Sequence, residues 1–184
     1  MAQKITKIIA ENTLILSQII QNICEKNYLQ QSGPDFLTKT QFTILKILCS
    51  TGSCSVSELA DVLHISRAAA SKNIEILVKS GFVSRKIIEE DRRTVLVELL
   101  HEGHEIVKTY DMLRLKNQEK VLKKFSDKEK NDFAKLLDKY ILLCLEHEAD
   151  TDLICLQCDG RIGEQCSVGK HRGSCYYNFK KSNQ

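Results

Sequence analysis

The sequence predicts a mostly α-helical protein carrying one small β-hairpin, and three observations predict it. Apolar residues recur at helical spacing along most of the 184 residues, proline occurs once, and aromatics make up 6%. Two Ser-x-x-Glu tetrapeptides, Ser55 to Glu58 and Ser126 to Glu129, stand directly before apolar runs, as helix starts do. Only between Phe82 and Leu99 does the period change, to two β-branched segments around a charged stretch.

Residues 4–30 carry Ile5, Ile8, Ile9, Leu16, Ile19, Ile20 and Ile23 at helical spacing, a long amphipathic first helix. Ser32-Gly33-Pro34-Asp35 ends it, because Gly and Pro disfavour continuation. Thr40 to Ser50 forms a second helix with Phe42, Leu45, Leu48 and Cys49 inward. The first capping box, Ser55-Val56-Ser57-Glu58, opens a short helix whose inner face is Val56, Leu59, Ala60 and Leu63. After His64-Ile65, Ser66 is placed to cap a helix that buries Ile74, Leu77 and Val78, and Gly81 supplies its left-handed stop. Val83 to Ile88 and Thr94 to Leu99 pair as a hairpin whose tip is Glu89-Glu90-Asp91-Arg92-Arg93. A helix over about Glu102 to Phe125 follows, with Ile106, Val107, Tyr110, Leu113, Val121, Leu122 and Phe125. The second capping box then opens a last helix with Phe133, Leu136, Leu137, Tyr140, Ile141 and Cys144 inward.

Helix, helix, short helix, helix, hairpin is the order of a winged helix-turn-helix. The expected architecture is therefore mostly α with a β-hairpin wing, dimerised through its N- and C-terminal helices. Those helices are apolar over more surface than one small winged lobe can cover, which leaves a partner copy to cover the rest. The chain divides into an N-terminal dimerisation helix (1–38), a winged DNA-binding lobe (39–101), C-terminal dimerisation helices (102–150) and a cysteine-rich tail (151–184).

Composition narrows the function. A 42% hydrophobic and 28% charged chain is an ordinary globular one. No apolar run reaches the 18 or so residues that a membrane span needs. Glu11, Asn12 and Gln18 interrupt what would otherwise be the apolar core of a signal peptide, so a cytoplasmic location is expected. No nucleophile elbow, phosphate loop or His-Glu-x-x-His is present, so no enzymatic site is expected. A net charge of +3 is explained equally well by a solvated, mildly basic surface. Placement says more: from His64 to Arg93 there are seven Lys and Arg against four acids.

A reading helix lies in the major groove with its N-terminal residues towards base edges. Ser66, Arg67, Ser71, Lys72 and Asn73 are the polar groups near that end, and Ala68-Ala69-Ala70 keeps bulk low for close approach. Arg67 suits guanine and Asn73 suits adenine if it faces the groove. On the hairpin, Lys86 adds charge, and Arg92 and Arg93 at the tip can enter the adjacent minor groove. The rival reading is a winged helix that binds only protein, and a basic wing beside a basic helix speaks against it.

The stretch SVSELADVLHISRAAASKNIEILVKSGFVSRKIIEEDRRTVLVELLHEGHEIV resembles the core of MarR-type regulators. Shared are the Leu-Ala…Leu…Ser pattern, the Val-Lys-Ser-Gly-Phe turn, and Asp91-Arg92-Arg93 followed by an aliphatic strand and a Glu-Gly helix start. The resemblance covers about residues 5–147. It implies an obligate homodimer that binds a pseudo-palindrome on double-stranded DNA and usually represses transcription. It also implies that Asp91 orients the wing while Arg93, with Arg92, contacts DNA. The family often binds small aromatic acids between the dimer helices and the DNA-binding lobe, so a small-molecule effector belongs among the expected partners.

The tail departs from that pattern. Cys155-x2-Cys158-x7-Cys166-x8-Cys175 is interspersed with Gly160, Gly163, Gly169 and Gly173. Four thiolates can close a tetrahedral site, and Cys-x2-Cys lets one turn supply two of them. Glycines permit turns that aim amides at sulfur. Leu156, Ile162, Val168, Tyr176, Tyr177 and Phe179 are too few for a separate core, so a metal would supply the folding energy. One metal centre per protomer is expected. With a single Cys-x2-Cys pair, an iron–sulfur cluster is favoured over zinc, with His171 as a substitute ligand and a metal-free redox thiol set as the third reading.

Overall fold

The computed structural model describes residues 2–87, 95–146 and 166–172. The chain begins with α1 (Ala2–Ile19), passes through one π-helical turn (Ile20–Cys24) and continues as α2 (Glu25–Ser32). The long first helix is thus present, with a wide turn in it that its apolar spacing does not announce. Then come α3 (Lys39–Thr51), β1 (Ser53–Ser55), α4 (Val56–Val62), α5 (Arg67–Lys79), β2 (Val83–Ile87) and β3 (Val95–Leu99). Helices α6 (His101–Leu122), α7 (Asp127–Leu145) and α8 (Ser167–Arg172) complete the described chain.

Helix starts follow from local chemistry. Thr38, Ser55 and Ser126 each accept the N–H three residues on, while Gln41, Glu58 and Glu129 bond back to the cap N–H. Each box satisfies two amides that the helix itself leaves without partners. The ends of α4 and α5 match one another. His64 N–H donates to Asp61 O and Ile65 N–H to Ala60 O; Gly81 N–H donates to Val78 O and Phe82 N–H to Leu77 O. Both are Schellman closures, which need a left-handed residue after the cap. Gly81 supplies it at φ 73°, as expected, whereas His64 adopts φ 51° with a full side chain.

The sheet is antiparallel in the order β1-β3-β2, with Cys54 opposite Val97 and Arg85 opposite Val97 on the other edge. The hairpin expected from Val83 onward is thus present, and its tip (88–94) lies outside the described residues. β1 is an extra strand that three residues were too short to signal. Ile44, Leu45, Leu48, Leu59, Ile74, Leu77, Val97 and Val107 have no exposed surface and form the core where α3, α4, α5, α6 and the sheet meet. Tyr110 of α6 stacks at a tilt on Phe42, centroids 4.4 Å apart, and meets Tyr28 edge-on at 5.7 Å, joining α2, α3 and α6. α6 starts hard against the wing: a Cβ at Gly103 would lie 2.5 Å from Phe82 O and 2.6 Å from Leu99 Cδ1.

One expectation is corrected here. Phe133, Leu136, Leu137, Tyr140 and Cys144 do not point into the protomer; they are exposed, and on α7 only Leu145 is buried, with Ile141 half-buried beside it. The element α7 packs on is α8, not the lobe core. Its apolar period is real, but among the described residues nothing covers most of it. On α1 and the π-helical turn after it, Ile5, Ile8, Ile9, Leu16, Ile19, Ile20 and Ile23 are exposed in the same way. Among the described residues, no helix is long and apolar enough to cross a membrane.

Candidate nucleic-acid interface

Ser66 folds the start of α5 by accepting Ala69 N–H at 3.2 Å. Ala70, Ile74 and Leu77 bury one face of the helix against the core. At about 100° per residue, Ala68, Ser71, Lys72 and Glu75 turn away from that face, Arg67 stands in the first turn, and all five are exposed. The alanine run therefore splits: Ala70 seats the helix, and Ala68 leaves its outer surface low. Asn73 stands apart, half-buried, with its amide nitrogen donating to Ala69 O at 2.9 Å.

Glu75 is the one acid among those five exposed residues. Lys79 lies 2.7 Å from its carboxylate, and that contact, with a smaller contribution from Arg85, holds the carboxyl below the usual range. Its negative charge is matched before any phosphate approaches. The wing strand β2 carries Arg85, Lys86 and Ile87 to the surface. Arg85, which sequence reading counted as basic but did not place in the site, reaches across so that Nη2 lies 3.4 Å from Ser71 O. Its position on β2 opposite α5 is a pairing that only the tertiary fold creates. Asp91, Arg92 and Arg93 fall outside the described residues.

A second feature is a cleft of about 280 Å³ where α1–α2, α3 and α6 converge, lined by Lys26, Lys39, Lys46, Glu25, Phe42 and Tyr110 among others. Lys39 Nζ bonds Glu25 Oε2 at 2.9 Å, and Lys46 Nζ sits 5.9 Å from the Tyr110 ring centroid. Burial, and then the Glu25 charge, push the Tyr110 phenol well above its ordinary value, so it stays a proton donor. Of the four tail cysteines, Cys166 is described and buried, while Cys155, Cys158 and Cys175 lie outside the described residues. Among the described residues no three metal-binding side chains converge.

A capped helix presenting a basic outer face, beside an antiparallel wing and behind a helix-turn-helix closure, defines a winged helix-turn-helix module. The MarR family model matches residues 37–95, the segment that holds α3 to the start of β3. A regulator of Bacillus subtilis, the uncharacterized HTH-type transcriptional regulator YpoP, is 26% identical over 135 residues, 73% of this chain and 84% of its own length. The HTH-type transcriptional repressor YetL of the same organism is 30% identical over 103 residues, 55% of this chain and 62% of its own. The crystal structure of Bacillus subtilis YusO superposes with a TM-score of 0.67 at 22% identity, covering 77% of this chain and 97% of YusO. The chain thus carries a winged helix-turn-helix fold, and its residues 37–95 are similar to regulators of the MarR family.

Proposed function

We propose that this protein is a MarR-type regulator, acting in the cytoplasm as a homodimeric repressor that reads a pseudo-palindromic operator with α5 and the wing. The observation that carries the reading is the outer face of α5. Ser66, Arg67, Ser71 and Lys72 stand free of the core, and Lys86 of β2 is exposed as well. Asn73 enters from the flank, and Arg92 and Arg93 from the wing tip. Repression is supported by the name of YetL, a repressor. The dimer is supported by the bare apolar faces of α1 and α7, which together run from Ile5 to Leu143. The operator is selected from random double-stranded DNA, with half-site centres expected ~10 bp apart. Arg67→Ala should then cost about 1–3 kcal/mol and relax specificity at one position, while Arg93→Ala should weaken all sites and lower the salt slope by about one. Affinity and slope unchanged in both variants would remove α5 and the wing from the interface.

The tail cysteines form, in this reading, one metal centre per protomer, an iron–sulfur cluster ahead of zinc, whose state sets operator affinity. Its support is the Cys-x2-Cys-x7-Cys-x8-Cys spacing in a glycine-rich segment with too little apolar surface to fold alone. Protein purified without oxygen should be brown, with iron and sulfide in equal amounts; zinc would leave it colourless and make the tail protease-sensitive on chelation. Metal present but without influence on operator affinity would reduce the centre to a structural role.

A second reading has its own observation. The lysine-lined cleft under Phe42 and Tyr110 combines cations with an aromatic floor, which suits a small aromatic acid as effector, the tail then being structural zinc. Operator release by such an acid, lost in Lys46→Ala, would favour it over metal sensing.

A further inference from the structure

The outer side of α5 carries an acid near its middle. At 100° per residue, Ala68, Lys72, Glu75 and Lys79 fall within about 50° of the line opposite the buried Ala70, Ile74 and Leu77. All four are exposed. A carboxylate there repels phosphate, and on a surface that approaches DNA it is favourable only where a hydrogen-bond donor meets it. Two cations bracket it. Lys79, one turn after, lies 2.7 Å from Glu75 Oε1. Arg85 comes from β2 and donates to Ser71 O, one turn before, at 3.4 Å. Lys79, by its hydrogen bond and its charge, and then Arg85 hold the Glu75 carboxyl below the usual range, so it is an ionised acceptor. One acid against two bases leaves the cluster net positive, and the face keeps its attraction for a phosphate backbone.

We propose that Glu75 is a specificity-determining residue of the operator interface, its carboxylate accepting from the amino group of a cytosine in the major groove. The inference rests on α5 being the reading helix, as proposed above. Chemistry selects the base. Cytosine presents its N4 amino group as a donor, whereas guanine offers O6 and N7 and thymine O4, all acceptors that repel a carboxylate. Adenine has an N6 amino group, but its N7 acceptor stands beside it and meets the second carboxylate oxygen. Ala68, a single methyl on the same side, leaves room for close approach. Glu75 lies eight residues beyond Arg67, about 12 Å along the helix axis, so the two meet different base pairs. Lys79 and Arg85 also restrict the Glu75 side chain before DNA arrives, and an acceptor already oriented loses less freedom on binding.

The test uses the full chain and the operator selected from random double-stranded DNA, with each base pair of one half-site exchanged in turn. Wild type should prefer cytosine at one position by about fivefold or more, the low end of what one good base contact discriminates. Glu75→Ala should lose that preference there and nowhere else, and should bind non-operator duplex more tightly, since a repulsive charge is gone. Glu75→Gln, whose amide can donate to N7 while accepting from N6, should move the preference to adenine. Lys79→Ala should weaken binding to every duplex by losing a charge, and keep the cytosine preference. Helix content and thermal midpoint report whether α5 is intact in each variant. Tighter binding of Glu75→Ala to all duplexes alike, with every base preference kept, overturns the reading role, because the carboxylate then only repels phosphate. Equal loss of preference in Lys79→Ala and Glu75→Ala overturns it too, since that is what an ion pair merely supporting the helix would do. Base preferences and affinities unchanged in both Glu75 variants overturn the role of Glu75 and leave α5 as the reading helix. Wild-type protein that selects no operator overturns the DNA reading itself, and the inference with it.

Discussion

In the winged lobe Ile44, Leu45, Ile74 and Leu77 have no exposed surface, whereas on the outer helices Ile5, Leu14 and Leu136 are each more than half exposed. Both regions show the same helical spacing of aliphatic residues, and no local feature separates them. What differs is length. α1 and α7 run 18 and 19 residues, whereas α3, α4 and α5 of the lobe run 13, 7 and 13. An apolar stripe reports that a face will be covered; it does not report which chain covers it.

The sharpest way to break the comparison is to damage the covered side. Leu45→Ala should cost about 2–5 kcal/mol of lobe stability, seen as a urea midpoint that falls by the same amount at every protein concentration. A loss that vanished on dilution would place Leu45 in an interface instead. Damage to the uncovered side should behave in the opposite way. Ile19→Glu or Leu137→Glu should leave the lobe folded and shift sedimentation from dimer to monomer or aggregate. A wild-type protein that is monomeric at low concentration and still binds operator tightly would contradict the dimer faces.

Smaller effects separate the helix ends. Ser66→Ala removes the acceptor for Ala69 N–H and should cost about 1 kcal/mol, with operator affinity falling in step because α5 frays at its reading end. At Ser126 the expected effect is on pH dependence. Bonds from the Ser126 side chain and N–H hold the Glu129 carboxyl below the usual range. A lowered folded value gives stability that is present above the unfolded glutamate range and lost as pH falls through the folded one. Ser126→Ala should therefore flatten the acid limb of the stability curve between those two values, and an unaltered limb would discount the bond. The smallest change expected is a gain. His64 holds a left-handed conformation that costs an L-residue roughly 1–2 kcal/mol, part of which returns as the extra freedom of an unfolded glycine. His64→Gly should stabilise the lobe by less than about 1 kcal/mol, and a destabilised variant would show that the imidazole makes a contact that offsets its strain.

Much of this was legible in the residues. The Ser-x-x-Glu boxes fixed where α4 and α7 start, because a cap acts within one turn of chain and leaves its mark there. Gly81 marked the end of α5 for the same reason. The end of α4 carried no such mark, since His64 is not a residue that left-handed geometry selects. The exposed polar side of α5 was readable at Ser66, Arg67, Ser71 and Lys72, but not the approach of Arg85, whose position near Ser71 depends on β2 folding back. The outward turn of α7 and the seat of Cys166 upon it could not be read either. They join residues 29 apart in the chain through Ser167 and Asp138, and nothing about either residue alone asks for the other.

The close seating at Gly103 carries a consequence for movement. With no side chain there, α6 begins in contact with the wing's base, and Leu100 N–H bonds Phe82 O at 2.9 Å across the same joint. Wing and helix are thereby welded, and α6 becomes the shaft on which the reading head is mounted. In the dimer proposed above, the span between two lobes would follow the direction of two such shafts, so a small tilt of α6 would be magnified at the proposed DNA interface. A methyl group at position 103 would act as a wedge in the joint. Each lobe would remain whole, and the distance between the two heads would be wrong.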